Sequence, residues 1–182
     1  MRADLANTPT LETERLILRG PMASDLEVFA PFVMSDRARY TGGGADKTLG
    51  QACRTLAIIT GHWHLLGWGP FVLQDRATGQ PIGSAGPWMP SDWPEPELGW
   101  SIWTPEAEGK GYAHEALLTI RRHAYADLGW PTAVSYIDTR NARSIALAKR
   151  LGCTLDPAAD RPNPDEPLEV WRHPTPAEVL AA

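Results

Sequence analysis

Glu97-Leu98-Gly99-Trp100-Ser101-Ile102-Trp103, then Thr104-Pro105-Glu106-Ala107, then Glu108-Gly109-Lys110-Gly111-Tyr112-Ala113-His114-Glu115-Ala116 is the stretch on which the reading of this chain turns. Its first seven residues read as a strand, with Glu97, Gly99, Ser101 and Trp103 alternating onto one face. After Gly111, apolar residues recur at helical spacing through Ala113, Ala116, Leu117, Ile120 and Ala124. Gly109 and Gly111 let the backbone turn tightly and come close to a ligand. The first amides of a helix have no intrahelical partner and sit at the positive end of its dipole, so a strand, a glycine turn and a helix start make an anion cradle. Lys110 adds a cation. A dinucleotide fingerprint would need a third glycine where His114 stands. A P-loop would need Gly-Lys-Ser/Thr, but Lys47-Thr48 follows Asp46. A pyrophosphate held by backbone amides remains, beside the plainer reading of a turn before a helix.

Upstream, Leu16-Ile17-Leu18 reads as a first strand, and Ser24 before Asp25-Leu26-Glu27 as the cap of a helix running to about Ser35. A stripe of Leu49, Ala52, Leu56, Ile59, Trp63 and Leu66 predicts a second helix. Phe71-Val72-Leu73 and Ile82-Gly83-Ser84-Ala85 flank a hairpin turn at Ala77-Thr78-Gly79-Gln80. Downstream, Gly129-Trp130-Pro131 ends the long helix. Ala133 to Ile137 is a strand, Ser144 to Leu151 a helix capped by Gly152, and Leu168 to Trp171 a last strand after a proline-rich loop. Antiparallel hairpins with one βαβ crossover make an α/β (α+β) fold of one domain.

The chain has 182 residues, the size of one ordinary domain, and a formal net charge of −5. That charge argues against a general nucleic-acid binder, which needs a basic face. No stretch resembles a signal peptide or a bilayer span, so the expected location is cytoplasmic, with no membrane partner. Cys53 and Cys153 lack metal spacing and are expected to be buried thiols. His62, His64, His114 and His123 are expected to be ordinary helix residues, and no metal is expected.

A second motif follows the strand after the long helix. Asn141-Ala142-Arg143-Ser144 precedes Leu147-Ala148-Lys149-Arg150-Leu151-Gly152-Cys153. Together with Gly109-Lys110-Gly111-Tyr112-Ala113, in this order and at this separation, it resembles the GCN5-related N-acetyltransferase (GNAT) family. The ribosomal-protein N-terminal acetyltransferases are the most similar subgroup, and Glu14-Arg15-Leu16-Ile17-Leu18-Arg19 looks like that subgroup's opening strand. The resemblance implies a single-domain GNAT-like fold, a mixed, mostly antiparallel sheet flanked by helices. Its central strands, 97–103 and 133–138, would splay apart. It implies a flexible tail at 1–12, an N-acetyltransferase domain at 13–172 and a C-terminal tail at 173–182.

The resemblance also implies acetyl-CoA as cosubstrate and a primary amine as acceptor, with assembly as a homodimer left open. The family's phosphate loop, Gln/Arg-x-x-Gly-x-Gly/Ala, falls on Glu108, Gly109, Lys110, Gly111, Tyr112 and Ala113, whose amides would hold the pyrophosphate. Ser101, Ile102 and Trp103 would pair with the pantetheine arm, a backbone amide near Ile102 or Trp103 would meet the oxyanion, and Asn141 and Ser144 would lie beside the pantetheine. Glu108 departs from Gln/Arg, so its acidic side chain is expected to point away. Ala148 stands where many members carry a tyrosine acid, leaving Ser144, or a water it holds, as the substitute. An attacking amine must be neutral, which a lysine-type amine (pKa about 10.4) is less often near neutral pH than an α-amine (about 7.7–8). Glu97 is the first choice of base, with Glu95 and Asp138 behind it; a solvated strand-end acid is the plainer reading of Glu97. Other classes stay open: an acyl-CoA sensor without turnover, or a transferase with a different acyl donor or an aminoglycoside or polyamine acceptor.

Overall fold

The computed structural model describes residues 8–181; residues 1–7 of the expected N-terminal tail lie outside them. The strands are β1 (Leu11–Glu12), β2 (Leu16–Arg19), β3 (Phe71–Asp75), β4 (Pro81–Trp88), β5 (Glu97–Ile102), β6 (Val134–Asp138), β7 (Thr154–Leu155) and β8 (Leu168–Arg172). The helices are α1 (Leu26–Val33), α2 (Leu49–Leu66), α3 (Tyr112–Ala126), α4 (Ala142–Arg150) and α5 (Pro176–Leu180). The strand order is β1-β2-β3-β4-β5-β6-β8-β7. The pairs β1–β2, β2–β3, β3–β4, β6–β8 and β7–β8 are antiparallel, and β5–β6 is parallel, so the sheet is mixed and mostly antiparallel as expected.

The chain groups into two compact units, Met1–Ala85 with Trp100–Ala116, and Gly86–Gly99 with Leu117–Ala182. The first has a core of Phe29, Phe32, Val33, Ala52, Leu56, Val72 and Trp103. The Phe29 and Trp103 rings lie 5.0 Å apart. Leu16 and Leu18 are fully buried while Ile17 and Arg19 are not, the alternation of a strand with one face on the core. The entry to α1 is organised by Asp25 rather than by the expected Ser24 cap. Asp25 is buried, accepts the Met22 N–H at 2.7 Å and pairs with Arg19. Thr48 and Gln51 form a reciprocal capping box on α2, and Gly67 ends it at φ +76°. A side chain at Gly83 would put its Cβ 2.5 Å from the Ser101 carbonyl oxygen, so β4 can approach β5 only with glycine there.

In the second unit Leu117, Ile120, Ala124, Val134, Leu147, Ala148 and Val170 are buried. Here the β5–β6 ladder stops almost where it starts. Glu97 is the one β5 residue registered with β6, opposite Val134, whose N–H reaches the Pro96 carbonyl at 3.0 Å. A parallel ladder would next send the Tyr136 N–H to the Leu98 carbonyl. Instead Leu98 accepts from the Ser135 hydroxyl at 2.7 Å, so a side chain satisfies a backbone carbonyl that the opened ladder frees. This is the splay expected from the sequence.

Some residues of the expected tails form regular elements. Leu11 and Glu12 pair with Leu18 and Ile17, so they belong to the sheet. Pro176–Leu180 is a helix, with a capping box between Thr175 and Glu178. Cys153 is buried, and burial pushes its thiol up to about 11, but Cys53 is exposed. Sequence periodicity placed Cys53 beside Ala52, and one helical step of about 100° carries it off the buried stripe.

Candidate active site

The glycine turn has the backbone its residues suggest. Gly109 and Gly111 sit at φ +73° and +82°, in the left-handed region that side chains other than glycine rarely adopt. The first helical bond after the turn runs from the Glu115 N–H to the Gly111 carbonyl at 3.0 Å, so the amides of Tyr112, Ala113 and His114 lie ahead of the ladder. Residues 109–111 are exposed, and a Cβ at Gly109 would meet nothing within 4 Å. Free amides at an open helix start fit a phosphate group.

Groups not singled out in the sequence hold this turn in place. Glu115, in the first turn of α3, accepts from the Thr13 hydroxyl and from the Arg15 backbone and side chain, an acid where the dipole favours one. Arg15 also donates to the Lys110 carbonyl at 3.0 Å and lies 4.5 Å above the Tyr112 ring. The Tyr112 hydroxyl donates to Asp75 at 2.8 Å, so its side chain is committed to the scaffold and only its amide faces the turn's opening.

Glu108 is charge-compensated: Arg37, in a short 3-10 turn after α1, forks onto its Oε1 through Nε and Nη2. The same guanidinium donates to the Trp103 carbonyl at 2.7 Å and the Ile102 carbonyl at 3.0 Å. One arginine thus ties the end of β5 to the start of the turn. Of the two amides named for the oxyanion, at Ile102 and Trp103, the Trp103 N–H donates to the Ile82 carbonyl at 2.8 Å. The Trp103 indole donates to Ser101 Oγ at 3.0 Å, consistent with both residues on one face.

Glu97, at the other end of β5, is half-buried. Its Oε2 accepts from the Trp93 indole N–H at 2.7 Å. Its Oε1 lies 3.6 Å from where a Cβ on Gly99 would be, so the missing side chain leaves room beside that oxygen. Burial pushes the carboxyl up to about 7, against the opposing pull of the Trp93 and Tyr136 N–H donors. Its rivals are differently placed. Both oxygens of Glu95 are held by Arg172, at 2.7 and 2.9 Å. Asp138 is forked by Arg140, whose hydrogen bonds hold it below the usual carboxylate range. Both acids are thus engaged by arginines, while Glu97 is not hydrogen-bonded to one among the described residues.

Asn141 is the N-cap of α4; its Oδ1 accepts the Ser144 N–H at 3.2 Å. Its role is therefore at least partly to start this helix. Ala148 is fully buried and offers no acid. Among the described residues no group of His, Cys, Asp and Glu is placed to hold a metal ion, and no helix is long and apolar enough to cross a membrane.

A family model described as an acetyltransferase (GNAT) domain matches residues 15–154, which makes the chain an acetyltransferase by class. It belongs to the GNAT family. An acetyltransferase from Agrobacterium tumefaciens str. C58 is 36% identical over 92% of this chain and 95% of its own, with a TM-score of 0.83. A Vibrio cholerae structure provisionally named a ribosomal-protein-serine acetyltransferase is 19% identical over 91% and 98% of the two chains, with a TM-score of 0.71. The microcin C7 self-immunity acetyltransferase MccE, solved with acetyl-CoA and AMP, is 15% identical over 93% and 98%, with a TM-score of 0.70. At those identities the last two speak for the fold alone. A search of curated protein sequences returns no match to this chain.

Proposed function

We propose that this enzyme moves an acetyl group from acetyl-CoA directly to a primary amine, a protein N-terminus or a small-molecule amine. When bound, acetyl-CoA supplies the activated thioester. The amides from Gly109 to Ala113 hold its pyrophosphate, and the backbone of Ser101 and Ile102 lies along the pantetheine arm. Glu97 takes the amine proton, through water, as nitrogen attacks the carbonyl. The Ser144 hydroxyl, or a water it holds, one turn into the helix that Asn141 caps, donates a hydrogen bond to the departing thiolate, which is protonated from solvent. The observation that carries this reading is the placement of Glu97: a half-buried carboxylate on the Trp93 indole, with no cation on it among the described residues, while Glu95 and Asp138 are both paired to arginines; burial pushes its carboxyl up to about 7. A base whose pKa lies near the working pH combines the right protonation state with useful driving force. The test is acetyl-CoA consumption with a peptide bearing an N-terminal serine, with spermidine and with an aminoglycoside. Thiol release that depends on one of them supports the transferase. Tight acetyl-CoA binding with no release on any amine would favour a sensor.

Arg37 enters this reading because an acidic residue stands where a phosphate is to be held. Arg37→Ala would remove a positive charge from beside Glu108, and the affinity for coenzyme A is expected to fall about tenfold, equivalent to about 1.4 kcal/mol. Both side chains keep 29% of their surface exposed, so water screens part of the loss. Adding Glu108→Gln to that variant should restore most of the affinity in calorimetry. No recovery would separate Arg37 from the charge of Glu108.

A further inference from the structure

We propose that Trp93 is a positioning residue for the base: its indole N–H pins one oxygen of Glu97 so that the other faces the open strip above Gly99, where the acceptor amine or its bridging water arrives. This rests on the reading of Glu97 as the base.

The geometry is specific. Trp93 Nε1 lies 2.7 Å from Glu97 Oε2. Glu97 Oε1 is the oxygen beside Gly99. The Trp93 ring meets the Tyr136 ring edge to face, with centroids 6.4 Å apart and planes at 85°, and the Trp93 backbone N–H closes a turn onto the Pro90 carbonyl at 3.0 Å. Pro90, Pro94 and Pro96 restrict the backbone around it. The indole is therefore delivered on a stiff loop, and a carboxylate that would otherwise rotate between equivalent orientations is given one.

The same bond has an electrostatic consequence. An N–H aimed at a carboxylate favours its charged form. Desolvation pushes Glu97 up, and the Trp93 and Tyr136 donors keep it from rising further. The other ionisable groups of this neighbourhood do not offset burial. Tyr136 on β6 is pushed up to about 12 by burial and stays neutral across the working range. Arg172 on β8 is divided between Glu95 and Asp156. His173, next on the chain, is buried and held neutral, its Nε2 3.0 Å from Ser135 Oγ.

Trp93→Phe removes the donor and keeps an aromatic ring against Tyr136. The lower limb of the pH–rate profile, measured with acetyl-CoA and whichever of the serine peptide and spermidine turns over, is expected to move up by about 1–2 pH units. The rate near pH 7 should fall about tenfold or more and recover at high pH, with affinity for coenzyme A unchanged. Carbon-13 NMR of the Glu97 carboxyl, assigned by Glu97→Gln, should show the same upward shift without reference to turnover. A Trp93→Phe limb and carboxyl titration that superimpose on the parent's, while Glu97→Gln abolishes the limb, would overturn the positioning role and leave the base standing. A Glu97→Gln enzyme with the parent's profile would overturn the base and this inference with it.

Discussion

Glu97→Gln is expected to lower kcat by about 10²–10⁴-fold, the usual cost of losing a general base. Glutamine keeps the length and an oxygen acceptor but cannot take a proton. The parent should gain activity as pH rises through about 7, because Glu97 is useful only when deprotonated and burial holds its carboxyl there. Below that value the proton is already on, and activity is lost. The variant should lack this limb and follow the ionisation of the acceptor amine alone. The gap should narrow at high pH, where more of the amine is neutral without help. Coenzyme A affinity should change little. The Trp93 indole N–H needs an oxygen to donate to, and glutamine can present its NH2 there instead, so a thermal melt should accompany the kinetics. A folded variant with unchanged pH dependence would place proton removal elsewhere, and Glu95 and Asp138 would first have to leave Arg172 and Arg140.

Gly111→Val is expected to abolish measurable coenzyme A binding, a loss beyond about 100-fold, while the protein still folds. The reason is backbone conformation more than space. A Cβ at Gly111 would meet only the far end of Arg15, Nη2 at 3.6 Å, an ordinary contact. But φ is +82°, where a β-branched residue is a genuine outlier. To relieve that, the turn must re-form, and the amides that precede the α3 ladder no longer point together. The turn is exposed and contributes no core residue at positions 109–111, so the fold has little reason to suffer. Isothermal calorimetry with coenzyme A, beside a thermal melt, reads both expectations. Binding equal to the parent's would remove the glycine turn from the site.

The order of strands and helices was legible because each element carries its own periodicity. Alternation marks β5, a 3.6-residue stripe marks α2 and α3, and the glycines at 129 and 152 mark helix ends. The glycine turn at 109–111 was legible for the same reason: left-handed backbone and an open helix start are local properties, readable from a few consecutive residues. Ser24 misled because capping chemistry is shared by neighbours, and the buried pairing of Asp25 with Arg19 outcompeted it.

What local pattern could not determine is which charges meet. Strand alternation ranked Glu97 ahead of Glu95 and Asp138, but only the fold brings Arg172 from β8 to Glu95 and leaves Glu97 beside an indole and a glycine. Arg37 stands 71 positions before Glu108, and Arg15 stands 100 before Glu115. No spacing rule joins such partners, because chain separation says nothing about distance once the backbone has folded. The sequence by itself determined the main elements, their order and the turn that can hold a phosphate, though not β1, β7 or α5. Tertiary structure decided the protonation and orientation of the groups around them, since desolvation and hydrogen bonding depend on what packs nearby in space.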